Sequence, residues 1–256
     1  MYQRLLNNLE ALKLEKMYSY LPNYLDSVAR TDISLTDAMI HLTEKELEFR
    51  NERASKAQIA VSGFPFVKTA SDFDFDYQPS VKKAQIQDFC SLRFMDATEN
   101  LLFYGPPGVG KTHLAVAIGV AAASSRQITY FISCHDLITQ LNKAHNENRL
   151  EQRLKHFAKY KLLIIDEVGY LPIDKQGANL FFQLIARRYE KNSTIVTTNQ
   201  AFSKWTDTFG SPTIANAILD RLLHHSQIVK ITGPSYRLKG VFDVINDSDE
   251  TVKQPS

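Results

Sequence analysis

Gly105-Pro106-Pro107-Gly108-Val109-Gly110-Lys111-Thr112 fills every fixed position of the pattern G-x-x-x-x-G-K-[ST]. The apolar run Leu101-Leu102-Phe103-Tyr104 precedes it, and a helical pattern beginning His113-Leu114-Ala115-Val116 follows. That order of strand, glycine loop and helix is the context of a phosphate-binding P-loop. Backbone N–H groups wrap a phosphate chain only where no Cβ intrudes, a freedom supplied here by Gly105, Gly108 and Gly110. The anion then rests on a helix N-terminus, where unpaired amides and the helix dipole favour negative charge. In this reading residues 105–113, with Pro106, Pro107, Val109 and His113 among them, hold a nucleoside triphosphate; Lys111 reaches its β- and γ-phosphates and Thr112 holds Mg²⁺.

A second anchor is Lys161-Leu162-Leu163-Ile164-Ile165-Asp166-Glu167. Four consecutive apolar residues make a strand covered on both faces, as in a parallel sheet, and such sheets place their sites at the carboxyl ends of the strands. Asp166 is therefore expected to bind Mg²⁺, directly or through water, and Glu167 to polarise an attacking water. Ser193-Thr194-Ile195-Val196-Thr197-Thr198-Asn199 is a further strand, and its Asn199 reaches the same rim, beside a water or the γ-phosphate.

Composition sets the outer bounds. A chain of 256 residues with 44% hydrophobic residues has ample material for a packed core. No apolar window approaches the ~18 residues of a membrane span, and no basic start leads into an apolar leader, so a cytoplasmic protein without a membrane partner is expected. Cys90 and Cys134 stand alone and read as reduced core thiols. A formal net charge of +2 is too mild to announce nucleic acid, so any case for DNA rests on local clusters.

Residues 1–63 read as a small helical domain, with leucines recurring at near-helical spacing from Leu5 to Leu14, an interruption at Pro22, and a second pattern through Leu35, Met39, Leu42 and Leu47. Arg50, Arg53 and Lys56 mix there with glutamates, which suits a solvated face of i,i+4 pairs better than a phosphate grip. Residues 64–80 read as an extended connector in which Phe73, Phe75 and Tyr77 alternate onto one apolar side, for packing or to cover a base. A helix over residues 81–95 leads to the P-loop strand. Ile128-Thr129-Tyr130-Phe131-Ile132 is another buried strand, and one helix is expected from Asp136 to about Tyr160. That stretch is the most basic in the chain, and Lys143, Arg149, Arg153 and Lys155 are its candidate contacts to a DNA backbone, with a merely solvated face as the alternative. His224-His225 lacks the acidic or cysteine companions of a metal site and reads as a surface pair near a helix end. Residues 243–256 read as a frayed tail after a nucleotide-binding domain of residues 81–242.

The loop GPPGVGKT, the strand IIDE, a strand ending TTNQ, the helix LDRLLH and the closing GPSYRLKG together resemble the AAA+ ATPases of the IstB and DnaC group, IstB more closely. The resemblance spans about residues 1–240; its first two motifs are shared by many ATPases, whereas FDFDYQPS, DRLLHH and PSYRL are narrower. It implies an α/β AAA+ domain with a parallel five-stranded sheet behind a helical N-terminal domain, and ATP-driven homo-oligomers on DNA, with each nucleotide between two subunits. It implies Arg221 as the arginine finger offered to the neighbouring subunit and Arg237 as the second sensor in its own. Supplying a planar cation in trans ties hydrolysis to assembly. The function implied is assembly on duplex target DNA in aid of the transposase of the same element. A DnaC-type helicase loader and a non-hydrolysing nucleotide-dependent module are the alternatives; nothing in the sequence stands out as the lid or acceptor site of a small-molecule kinase.

Overall fold

The computed structural model describes residues 1–29 and 31–239, so the tail expected from residue 243 lies outside the described residues. Two compact units divide between Ala57 and Gln58, earlier than the boundary expected at residue 63. The first unit holds α1 (Tyr2–Ala11), α2 (Glu15–Val28) and most of α3 (Leu35–Val61). Leu9, Met17, Leu21, Tyr24 and Leu42 form its core. Pro22 does not interrupt α2 as expected; the break falls at Leu12–Leu14, where Lys13 has φ 56°. A helix-interior proline costs about 3 kcal/mol, and the burial of Met17, Leu21 and Tyr24 on the same helix offsets that cost. In α3, Leu35, Met39 and Leu47 are exposed, and only Leu42 of the expected apolar pattern is buried.

Glu46 is the buried polar residue of this unit. It accepts from the free amides of Lys16 and Met17 at the start of α2, at 2.8 and 3.1 Å, and from Arg50 at 2.8 Å. Burial pushes its carboxyl up, but these three donors outweigh burial and hold it below the ordinary range. Arg53 pairs with Glu15 and Lys56 with Glu52, so each cation of the trio has an acidic partner, as a solvated face would have.

From Gln58 onward the chain builds a parallel sheet in the order β2-β3-β4-β1-β5. Its strands are β1 (Asn100–Tyr104), β2 (Thr129–Ser133), β3 (Leu162–Asp166), β4 (Ser193–Thr198) and β5 (Ser226–Lys230). Every residue of β3 and β4 is buried, the signature of strands covered on both faces. One face carries α6 (Lys111–Ser124) and α4 (Lys83–Cys90), whose side chains pack on Leu101, Ile164 and Ile195. Leu102, Leu163, Ile165 and Val196 point the other way, into a core shared with α7 (Cys134–Asn146), α8 (Leu150–Ala158), α9 (Lys175–Arg188), α10 (Trp205–Phe209) and α11 (Pro212–Leu223). Both thiols are free, and burial pushes Cys134 up to about 12.

Three expected elements are re-cut. The helix expected over residues 81–95 breaks at Leu92 (φ 67°), and α5 (Arg93–Asp96) follows. Phe89 and Phe94 would stand about 140° apart on a continuous helix; the turn lets both bury in one core, edge to face at 6.3 Å. The basic helix breaks into α7 and α8 at Asn148 (φ 54°). Arg149 N donates to Ala144 O and Asn148 N to His145 O, a Schellman stop with asparagine in the left-handed position. The connector is not extended: it forms a turn at Ala70–Asp72 closed by a Thr69–Asp72 capping box, and Phe73 is buried while Phe75 and Tyr77 are half-buried.

Arg188 fastens the rim of the sheet far from the P-loop. Fully buried, it donates to Phe157 O (3.0 Å), Tyr160 O (2.7 Å), Ser193 O (2.5 Å) and Thr194 Oγ1 (3.0 Å). Burial pulls its pKa down to about 9, still protonated at neutral pH. Arg188→Met should orphan these acceptors and cost about 3 kcal/mol or more, read as a lower urea midpoint; Arg188→Lys should recover only part, because one ammonium cannot span all four. An unchanged midpoint in Arg188→Met would show that the fastening is dispensable.

Candidate nucleotide site

Parallel strands deliver their carboxyl ends to one rim, and a cavity of about 590 Å³ opens there. Residues 107–113 line it, together with Asp166, Glu167, Asn199 and Arg237. Gly108 (φ 79°) and Gly110 (φ 95°) take left-handed backbone, and a Cβ on either would run into Ser235 or Phe73 at 2.0 and 2.5 Å. Gly105 and Pro106 lie behind the loop, where their carbonyls accept from the Lys111 ammonium at 2.9 and 2.7 Å.

The register sets Asp166, the last residue of β3, level with Thr197 on β4 and on the α6 side of the sheet. Thr112 Oγ1 lies 2.9 and 3.1 Å from the two oxygens of Asp166, and Thr197 Oγ1 donates to Asp166 Oδ1 at 2.5 Å. A hydroxyl and a carboxylate in contact are hard oxygen donors of the kind Mg²⁺ takes while keeping several waters. Burial pushes Asp166 above the ordinary carboxylate range, against the two threonines and the charges of Lys111 and Arg237. Burial likewise pulls Lys111 down, opposed by Asp166 and Glu167. A cation beside Asp166 would relieve the first of these penalties, and an anion beside Lys111 the second.

Glu167 sits at φ 60°, sparsely populated for a residue with a Cβ, and its amide donates to Thr197 Oγ1 at 2.9 Å while its side chain is exposed to the cavity. Asn199 Oδ1 is buried without a hydrogen-bond partner on the same rim. An orphaned acceptor in a cavity wall is a place for a donor from a ligand or water.

Arg237 is placed by a clamp the sequence did not announce. Gln78 donates to Pro234 O (2.7 Å), Tyr77 to Ser235 O (3.3 Å), and Lys239 pairs with Asp74 (2.6 Å), while Tyr236 N donates to Gly108 O (2.9 Å). The connector and residues 232–239 are thereby tied to each other and to the P-loop. Phe73 packs edge-on against His113 at 5.4 Å, and Phe66 and Phe131 also line this end of the cavity, an apolar wall suited to a base. Burial pulls His113 below the ordinary imidazole range, more than the Thr69 carbonyl restores.

Arg221 is not among the residues lining the cavity. It lies over the Phe182 ring at 4.8 Å and donates to Ala217 O at 3.0 Å. Lys143, Arg149, Arg153 and Lys155 also lie away from the cavity: Arg149 pairs with Glu147, Lys155 with Glu151 at 3.6 Å, Arg153 lies over Phe157, and Lys143 is exposed. His224 and His225 do have an acidic companion, Glu190, which the fold brings from 34 residues away; the sequence reading of a bare pair is corrected by that tertiary contact. Sequence reasoning also missed Thr197, whose only signal is a hydroxyl two residues before Asn199.

The profile described as IstB-like ATP-binding protein matches residues 7–242. The chain belongs to the IstB-like ATP-binding family. It is 52% identical over 96% of its length to the IS232 insertion-sequence ATP-binding protein of Bacillus thuringiensis subsp. berliner, of which 98% is covered. It is 40% identical over 90% of its length to the corresponding IS21 protein of Pseudomonas aeruginosa, of which 87% is covered. Among solved structures, the DnaC helicase loader is similar with a TM-score of 0.51 at 24% identity, over 59% of this chain and 88% of that one. DnaA bound to AMPPCP and single-stranded DNA gives 0.56 at 16%, over 70% of this chain and 54% of that one, so these likenesses establish the AAA+ fold. The chain is thus an IstB-like ATPase with an AAA+-type fold and a helical N-terminal unit.

Thr197 holds the Asp166 carboxylate and the Glu167 amide at once. Thr197→Val should lower kcat about 10–100-fold, the usual scale for a residue that orients a metal ligand, with ATP binding in the absence of Mg²⁺ unchanged, and Thr197→Ser should restore most of it. Equal loss in Val and Ser variants would point to packing rather than the hydroxyl.

Proposed function

We propose that this IstB-like ATPase assembles on duplex target DNA when it binds Mg²⁺-ATP, and that the assembly assists the transposase of the same element from within the cytoplasm. The insertion-sequence relatives, at up to 52% identity across nearly the whole chain, favour this over a helicase loader, whose likeness is one of fold. No described helix is long and apolar enough to cross a membrane.

Bound ATP would supply the γ-phosphoryl group that water attacks. Lys111 and the amides of the glycine loop hold its phosphates, Thr112 and Asp166 hold Mg²⁺, and Arg237 lies on the cavity wall to meet phosphate charge. Glu167 takes the proton of the attacking water, and Asn199 Oδ1, free of any intramolecular donor, fixes that water's orientation. The observation that supports the oligomeric part is Arg221: it lies over Phe182 and donates to Ala217 O, away from its own subunit's cavity, so a role at the phosphates would be played in a neighbour's. A cation set where charge develops on the γ-phosphoryl oxygens stabilises the transition state, and lending it in trans makes turnover depend on assembly.

Glu167→Gln should bind ATP and DNA, fail to turn over, and trap oligomers seen by light scattering. Arg221→Ala should be equally inactive. Mixing the two should restore measurable phosphate release, since some junctions then pair an intact Glu167 with an intact Arg221; an inactive mixture would remove Arg221 from its trans role. For DNA, affinity should fall steeply with salt and favour duplex over single strand, and changing Lys143, Arg149, Arg153 and Lys155 together to Ala should flatten the log–log salt slope by about three to four. An unmoved slope would make that basic surface solvent-facing only, and a preference for single strands would favour the loader.

A further inference from the structure

Glu190, His224 and His225 gather three donor atoms within 4.8 Å of one another, and none of the three lines the nucleotide cavity. Glu190 follows the end of α9 in left-handed backbone (φ 56°), and the histidines follow α11. Glu190 Oε1 lies 3.9 Å from His224 Nδ1 and 3.5 Å from His225 Nε2, and the two rings stand 3.9 Å apart. A Zn²⁺ held at 2.0–2.2 Å in tetrahedral geometry needs donor separations of about 3.4 Å, so small side-chain rotations close the site. All three residues are about half exposed, leaving room for those rotations and for water at the remaining positions. Tyr189 Oη lies 2.6 Å from His224 Nδ1 and, with the proton on Nε2, donates to that nitrogen's single lone pair, so a metal takes Nδ1 only as the hydroxyl turns aside.

We propose that Glu190, His224 and His225 form a structural site for one late first-row divalent cation, Zn²⁺ or a neighbour such as Co²⁺ or Ni²⁺. Two imidazoles and a carboxylate select such ions over Mg²⁺, which prefers oxygen donors and surrenders water reluctantly. The ion staples the end of α9 to the end of α11. These are the helices that carry Phe182 and Arg221, so on the reading of Arg221 given above the staple steadies the residue lent to the neighbouring subunit. Binding itself requires neither nucleotide nor assembly.

The test is calorimetric titration of Zn²⁺ into full-length, tag-free, chelator-treated protein without nucleotide, with visible absorption of bound Co²⁺ as a second readout. About one equivalent should bind, uncompeted by excess Mg²⁺. Affinity should fall about tenfold in Glu190→Gln and about 100-fold in the double variant His224→Ala, His225→Ala, while the control His135→Ala, His145→Ala binds as the parent does. Circular dichroism of the metal-free variants establishes that they fold, as exposed positions should. Absence of saturable binding, equal affinity in the His224, His225 double variant, or displacement by Mg²⁺ would overturn the proposal. None of these outcomes bears on ATP hydrolysis at Thr112 and Asp166.

Discussion

Everything at the nucleotide rim is measured from one buried carboxylate. Asp166 ends a strand buried from Leu162 onward and keeps only a small exposure, toward the cavity. Burial disfavours its charge, and the hydroxyls of Thr112 and Thr197 offset part of that penalty. The three residues come from α6, β3 and β4, so the hydrogen bonds bind the start of the P-loop helix to two strand ends. A single slip of register would carry Asp166 to the opposite face of the sheet and break all of it. The fold therefore holds a charge that burial disfavours, and a divalent cation beside it would relieve that penalty.

Much of this was legible in the chain. The P-loop is a local object whose chemistry is written in consecutive residues, and β1, β3 and β4 announce themselves as apolar runs ending in polar residues. Helix ends were less legible. Asn148 carried a signal, an asparagine at a left-handed stop, but Leu92 carried none, because its turn exists to bring Phe89 and Phe94 into one core. Pro22 misled in the other direction, since tertiary burial outweighed a local penalty.

The unread part of the site is tertiary. Thr197 looks like any β-branched strand residue until β4 is set beside β3, when its hydroxyl faces Asp166 and Glu167 together. The clamp between Asp74, Tyr77 and Gln78 and residues 234–239 joins segments more than 150 residues apart in sequence. Its polar partners are ordinary loop residues when read singly. Glu190 and the histidine pair were separated in the same way, and so a set of three donors was read as two.

The clamp also bears on how a nucleotide could be felt beyond its own pocket. Tyr236 N donates to the carbonyl of Gly108, and Ser235 fills the space that the missing Cβ of Gly108 leaves, so the P-loop and the segment bearing Arg237 share one packing surface. Any shift of the loop as phosphates enter must be taken up by that segment or by Phe73, which occupies the corresponding space at Gly110. Both lead back to the connector, through Gln78 on one side and the turn at Ala70–Asp72 on the other. Close packing transmits such displacements rather than absorbing them. The connector thus sits where an event at the phosphates would first become a change of backbone.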